Sequence, residues 1–259
     1  MIASTSLTIK LGGVAGAHRA SVEVIARKAD ASCVVVHGGG TEVANWQRRL
    51  GLEAQLQGGL RVTDPETLEV AVAVLAGLVN TRLVAALAAA GRPAIGLTGA
   101  DADLLVLERA DRTLGEVGYP AGANVAVLDL LTNAGLLPVV SSIGRDGDGA
   151  LLNVNADAVA GAIAAARGGR LLLCSDVAGV IRDGEVLASL TAREARDMIA
   201  SGDAQAGMVP KLEAAIIAAR SGCTVSILDG RSPEALAAAL AGEAAGTRIG
   251  AGLEAQASA

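Results

Sequence analysis

Phenylalanine is absent from this sequence of 259 residues, and one Trp and one Tyr are its only aromatic side chains. That scarcity argues against a surface that stacks nucleobases. The net charge of −6 argues against the basic stripe that a phosphate backbone requires. Histidine occurs only at His18 and His37, too few and too isolated for a zinc site, and no metal ligand set is read anywhere. Cys33, Cys174 and Cys223 are odd in number and lie in or beside apolar runs. They read as reduced, buried thiols of a cytoplasmic protein, not as disulfides. The start Met1-Ile2-Ala3-Ser4 has no basic leader, and no apolar stretch reads as reaching the roughly 18 to 20 residues of a membrane span, so no membrane partner is expected. What is present is 52% hydrophobic residues, 33 glycines and 19% charged residues. A soluble globular chain follows, large enough for one α/β unit or two lobes sharing a sheet.

The organising stretch is Val34-Val35-Val36-His37-Gly38-Gly39-Gly40. A β-branched run reads as a buried parallel strand, and three glycines at its end let backbone N–H groups approach a ligand with no Cβ in the way. The helix expected next would point its positive end at the same spot, which suits an anion. A merely glycine-rich strand-to-helix turn is the plain alternative.

Strand and helix signals alternate along the chain. Strands are expected at Leu7–Leu11, Val34–His37, Pro93–Leu97, Leu136–Ser141, Arg170–Ser175 and Cys223–Leu228, with Thr247–Ile249 closing the fold. Helices are expected at Arg19–Ala29, around Asn45–Leu50, from Pro65 with a break to Ala90, and at Asn124–Ala134. Others should follow the Asn153–Asp157 cap, Thr191, Val209-Pro210 and Ser232-Pro233. Residues 55–62, with Gly58-Gly59, read as a hairpin or flap, and Asp146–Gly149 as a turn between strands. The expected class is α/β, a three-layer αβα sandwich around a mainly parallel sheet.

Ligands of such sheets sit at strand carboxyl ends. Lys10, the triple glycine and Asp176 are all expected there. Lys10 could reach over the floor of Gly12-Gly13 or simply lie along the surface. No P-loop, dinucleotide-binding or hydrolase-elbow motif occurs.

Six segments together resemble the amino acid kinase family over nearly the whole chain. They are Lys10–Gly13, Val36–Gly40, Gly59–Asp64, Asn153–Asp157, Ser175–Val180 and Gly207–Lys211. Within the family, Gly59-Leu60-Arg61-Val62 and Asn153–Asp157 look most like the branch that uses N-acetyl-L-glutamate, rather than carbamate, aspartate or uridylate kinases. The resemblance implies transfer of the γ-phosphoryl group of ATP to the acceptor's side-chain carboxylate, giving an acyl phosphate in arginine synthesis.

Such a carboxylate is already ionised at neutral pH, so no general base is needed, in keeping with lysine- and glycine-rich motifs that lack a nucleophile or a His–Asp pair. By resemblance, Lys10 and Lys211 flank the moving phosphoryl group and Asp157 holds both lysines. Gly12, Gly13, Gly39 and Gly40 cradle phosphate and acceptor through their N–H groups. Arg61 clamps the acceptor's α-carboxylate, Asn153 and Asn155 complete that site, and Ser175, Asp176, Gly179, Gly207 and Met208 take the nucleotide. Residues 1–169 would form the acceptor-binding and dimerising lobe and residues 170–259 the ATP lobe, with Mg²⁺ carried by ATP phosphates and water. The absence of a helix before the first strand leads to the expectation of a homodimer that arginine does not inhibit. Other readings stay open at this point: caps and turns for the Asn and Asp residues, a carrier-linked aminoadipate acceptor, or a non-catalytic sensor. Residues 101–117 carry no legible motif.

Overall fold

The computed structural model describes residues 6–12, 18–57, 60–204 and 207–250. In chain order the strands are β1 (Leu7–Leu11), β2 (Cys33–His37), β3 (Leu56–Gln57), β4 (Leu60–Arg61), β5 (Ala94–Thr98), β6 (Leu105–Arg109), β7 (Val117–Ala123), β8 (Leu137–Ser141), β9 (Ile143–Asp146), β10 (Leu151–Val154), β11 (Arg170–Ser175), β12 (Ile181–Arg182), β13 (Glu185–Val186), β14 (Ser189–Thr191), β15 (Thr224–Asp229) and β16 (Thr247–Gly250). The helices are α1 (Arg19–Lys28), α2 (Gly40–Arg49), α3 (Pro65–Ala89), α4 (Ala126–Asn133), α5 (Ala156–Arg167), α6 (Ala192–Ser201), α7 (Val209–Arg220) and α8 (Pro233–Leu240).

Eight strands form one sheet in the order β14-β16-β15-β11-β1-β2-β8-β5, parallel at every pairing except β15 with β16. Both faces are covered, and the strands show it residue by residue. Val34 and Val36 belong to one core cluster and Cys33 and Val35 to the other, and Leu171 and Leu173 oppose Leu172 and Cys174 in the same way. One cluster is roofed by α5, α6 and α7, the other by α1, α8 and the second half of α3. This is the expected three-layer αβα sandwich.

The caps read from the sequence are in place. Asp64 accepts from the Thr67 N–H, Ser232 from that of Ala235, and Thr191 with Glu194 forms a capping box. Arg92 reaches the Ala29 and Asp30 carbonyls beyond α1, where a cation meets the negative end of a helix.

Two expectations need correction. The break in α3 is no interruption: Ala73–Val79 is a π-helical stretch inside a continuous helix. Because the helix is continuous, Pro65–Ala89 is long and apolar enough to cross a membrane by length and composition, with mean hydropathy 2.0 and 33% of its apolar window buried. It packs here through Val70, Ala71, Val74 and Leu75 on α2 and through Leu83 and Leu87 on the main sheet. The segment 101–117 belongs to a small closed barrel, β10-β7-β6-β9, unforeseen because its strands are short and broken by a bulge between Val106 and Leu107. The β3–β4 hairpin forms as expected, whereas its Gly58-Gly59 turn lies outside the described residues.

Candidate active site

Strand pleating brings the first lysine to its place. On β1, Leu7, Ile9 and Leu11 face the α1 and α8 layer, which leaves Thr8 and Lys10 facing α5. Asn155 caps α5, its Oδ1 accepting from the N–H groups of Asp157 and Ala158 at 2.8 and 3.3 Å. The cap fixes Asp157 in the first turn of the helix, above Lys10.

Small residues bring the second lysine. Helices α5 and α7 approach so closely at Gly161 that a Cβ there would lie 3.0 Å from the Ala214 carbonyl oxygen. One turn earlier on each helix stand Asp157 and Lys211. The result is a three-residue array in which Lys10 Nζ lies 2.9 Å from Asp157 Oδ1 and Lys211 Nζ lies 3.6 Å from Oδ2. The first contact is a close ion pair not aligned as a hydrogen bond.

The array is buried, with side-chain exposures of 7%, 6% and 14% for Lys10, Asp157 and Lys211. Burial pulls the Lys211 pKa below its ordinary value, as does the charge on Lys10, while Asp157 and Asp176 pull the other way. Two ammonium groups around one carboxylate leave net positive charge in a site of low dielectric, where a phosphoryl group is attracted strongly.

Beside the array lies a cavity of about 230 Å³ lined by Lys10, Gly38, Gly39, Gly40, Arg61 and Asn153, among others. The first N–H groups of α2 have no partner within that helix, and Gly39 and Gly40 begin it. Arg61, on the hairpin, donates to the Gly40 carbonyl at 2.8 Å and to Gln47 Oε1. Gln47 is fully buried and itself donates to Thr67 Oγ1 at 3.1 Å. Asn153 donates to Thr63 Oγ1 at 3.1 Å.

Gln47 escaped the sequence reading. Its signal was available, since it follows Val43 by one turn on the inward stripe of α2, where a polar residue is out of place.

Gly12 departs from the expected cradle, because its N–H donates to the Cys174 carbonyl at 3.2 Å and extends the sheet ladder. What Gly12 supplies is a close approach to β11, since a Cβ there would stand 3.3 Å from the Cys174 carbonyl oxygen. Gly13 lies outside the described residues.

Past the array, Ser175 ends β11 and its Oγ donates to Asp176 at 3.1 Å. Arg231 donates to the Asp176 carbonyl at 2.7 Å. Gly207 accepts from Lys211 Nζ at 3.1 Å, and Met208 precedes α7 and packs on the core. Gly179 has a packing reason of its own, because a Cβ would come within 2.6 Å of Thr247 Oγ1. The structure thus brings Lys10, Lys211 and Asp157 together, with the acceptor candidates on one side and Ser175, Asp176, Gly207 and Met208 on the other.

A larger cleft of about 1280 Å³ lies between α5, α7 and the small barrel, lined by Ala162, Pro120 and Ile217 among others. None of the three charged residues of the array lines it, whereas Lys10 and Asp157 line the smaller cavity.

Similarity to known proteins agrees with this geometry. The acetylglutamate kinase of Cereibacter sphaeroides is 43% identical over 258 residues, covering 95% of this chain and 88% of the relative. That of Methanopyrus kandleri is 45% identical over 219 residues, covering 80% and 89%. Among solved structures, a Streptococcus mutans UA159 protein superposes with a TM-score of 0.80 at 27% identity, covering 95% of this chain and 98% of the other. N-acetylglutamate synthase from Neisseria gonorrhoeae shares the fold, with a TM-score of 0.79 at 22% identity, covering 95% of this chain and 59% of the other. Residues 7–229 match the amino acid kinase family, and with relatives this similar over most of its length the chain belongs to that family.

Proposed function

We infer that the chain is an acetylglutamate kinase, transferring the γ-phosphoryl group of ATP to the side-chain carboxylate of N-acetyl-L-glutamate in arginine biosynthesis. The observation that carries this reading is the buried Lys10–Asp157–Lys211 array at the mouth of a small cavity that holds an arginine. The acceptor carboxylate is ionised at neutral pH and attacks without a base, so the protein's task is to bring two anions together and neutralise the charge that moves between them. Lys10 and Lys211 take that role, and Asp157 keeps the two ammonium groups from repelling each other out of place.

Arg61 binds the α-carboxylate through a guanidinium already aimed by Gln47 and Gly40. The N–H groups of Gly39 and Gly40 hold the acceptor's reacting end, with Asn153 and Asn155 on the wall. By the same assignment Gly13 contributes an N–H to phosphate. Ser175, Asp176, Gly179, Gly207 and Met208 form the nucleotide side. In this reading residues 1–169 carry the acceptor and residues 170–259 carry ATP.

Magnesium fits as a companion of the triphosphate. Among the described residues no group of three His, Cys, Asp or Glu side chains could hold it, and both Asp157 oxygens face lysines. It would be held chiefly by phosphate and water, where it supplies charge neutralisation. A homodimer is supported by the apolar, largely uncovered surface of α3 and the neighbouring open edge of β5. A cytoplasmic location is supported by three buried free cysteines.

The test is acetylglutamate-dependent ADP release, with the acyl phosphate trapped by hydroxylamine, beside free and carrier-linked aminoadipate as competing acceptors. Turnover with aminoadipate alone would overturn the assignment. Sedimentation at micromolar concentration tests the dimer.

A further inference from the structure

Asn80 and the imidazole of His37 have no role in the chemistry above, yet both are buried, at 4% and 1% exposure. Helix α3 turns Val70 and Val74, then Ala71 and Leu75, inward at four-residue steps. The next buried residue is Asn80, five beyond Leu75, followed by Leu83 and Leu87. The five-residue step coincides with the π-helical stretch Ala73–Val79. A plain α-helix would continue from Leu75 to Val79. The wide turn therefore places a carboxamide where an isopropyl group would otherwise point, and π turns of this kind often accompany function.

The NH₂ group of the carboxamide is fully engaged. Asn80 Nδ2 lies 3.0 Å from His37 Nε2 and donates to the Val139 carbonyl at 2.9 Å. The second contact, to a carbonyl, decides which end of the amide faces the ring. An NH₂ group can only donate, so Nε2 accepts and the proton of the neutral ring resides on Nδ1, 3.0 Å from the Gly38 carbonyl oxygen. Gly96 leaves the space for this arrangement, since a Cβ there would lie 1.9 Å from Asn80 Oδ1.

The Gly38 carbonyl and the Gly39 N–H belong to one planar peptide and point in opposite directions. Holding the first directs the second. The same π stretch also confines Gly39 through Leu75 and Val79, 2.8 and 3.4 Å from where its Cβ would stand. We propose that Asn80 and His37 are positioning residues: Asn80 fixes the His37 tautomer, and His37 holds the Gly38–Gly39 peptide so that the Gly39 N–H faces the acceptor cavity. This rests on the assignment of Gly39 and Gly40 to the acceptor.

The test uses the full chain, whose only histidines are His18 and His37. Imidazole ¹⁵N spectra, assigned with a His18→Gln variant, should show His37 protonated at Nδ1 and unprotonated at Nε2. The opposite tautomer, or exchange between the two, overturns the relay. In kinetics, Asn80→Ala and His37→Gln should each lower kcat on the order of tenfold or more with KM for ATP unchanged. His37→Asn, whose NH₂ falls near the place of Nδ1, should recover part of the loss. Equal losses in both His37 variants, or wild-type kcat in a folded Asn80→Ala protein, overturn the positioning role. A wild-type chain without acetylglutamate-dependent turnover would refute the functional reading instead. The Gly39 amide resonance then decides the positioning role. A shift in Asn80→Ala confined to Gly38–Gly40 supports it, and no shift there overturns it.

Discussion

Arg61 and Asp176 stand on opposite sides of the lysine array and are held in different ways. The Arg61 guanidinium is aimed by the fully buried Gln47 side chain and by the Gly40 carbonyl, so the core itself fixes its direction. Asp176 sits exposed in a loop. Its carboxylate accepts from the adjacent Ser175, and only its carbonyl is anchored, by Arg231. On the proposed assignment, acceptor recognition is built into the packing, where little side-chain entropy is lost on binding, and nucleotide recognition rests on an exposed loop side chain with more freedom to lose. The lysine array between them belongs to neither side, because Lys10 comes from β1 and Lys211 from α7.

The largest effects should come from that middle ground. Lys10→Ala and Lys211→Ala remove charge complementary to the moving phosphoryl group, and each should lower kcat on the order of 10²-fold or more. Asp157→Asn should resemble them, because it leaves two buried ammonium groups without a counter-charge. Steady-state kinetics at saturating ATP decide the matter, and wild-type kcat in any of the three would remove the array from the mechanism.

Lys211 adds a pH signature. Its pKa is lowered by burial, so its charge is lost as pH rises through a value below the ordinary 10.5. Activity should fall there. In the same window the unfolded chain binds more protons than the native one, so this group makes stability rise with pH. Opposite trends in rate and in denaturation midpoint between neutral pH and pH 10.5 would identify Lys211, and parallel trends would not.

The two sides should then separate. Arg61→Ala should raise KM for acetylglutamate by roughly 10- to 100-fold, the scale of one charge-assisted contact, and leave KM for ATP near its original value. Gln47→Ala should reproduce the same selectivity at several-fold, because the guanidinium remains and only its aim is lost. Asp176→Ala should raise KM for ATP alone, also by several-fold. An Asp176 variant that alters acceptor KM, or an Arg61 variant that does not, would break the comparison.

How much of this was legible in the sequence follows the range of the interactions involved. Lys10 and Asp157 could be placed because a strand end and a capped helix start are local signals, and Asp64, Thr191 and Ser232 cap as their neighbours imply. Asn80 and Arg231 could not be placed, since their partners His37 and Asp176 lie 43 and 55 residues away, and Gln47, though out of place on the inward stripe of α2, gave no sign of its partner Arg61, 14 residues on. The small barrel was hidden for a related reason: β6 and β7 alternate imperfectly around a bulge, and β10 pairs with β7 across a crossover that leaves no periodic trace. Gly12 misled in the opposite direction. The family resemblance assigned its N–H to the phosphate cradle, and only its pairing with the Cys174 carbonyl reveals the extended ladder.

The smallest effects test whether the two sides are separate units at all. Asp64 caps α3 within residues 1–169 and Ser232 caps α8 within residues 170–259, each accepting one helix N–H. Replacing either with Ala should cost about 1 kcal/mol, which for a chain of this length moves the thermal midpoint by roughly 2–4 °C. The Asp64 carboxyl is held below its ordinary pKa by the Thr67 N–H, so its contribution is present at neutral pH and is lost as pH falls through that lowered value. Asp64→Ala should therefore flatten the acid side of the stability profile slightly, whereas Ser232→Ala should shift the whole profile evenly. Because β1, β2, β8 and β5 continue β11 and β15 in one sheet, both variants should move a single calorimetric transition. Two transitions, each sensitive to only one variant, would show that the lobes unfold independently and that the shared sheet does not couple them.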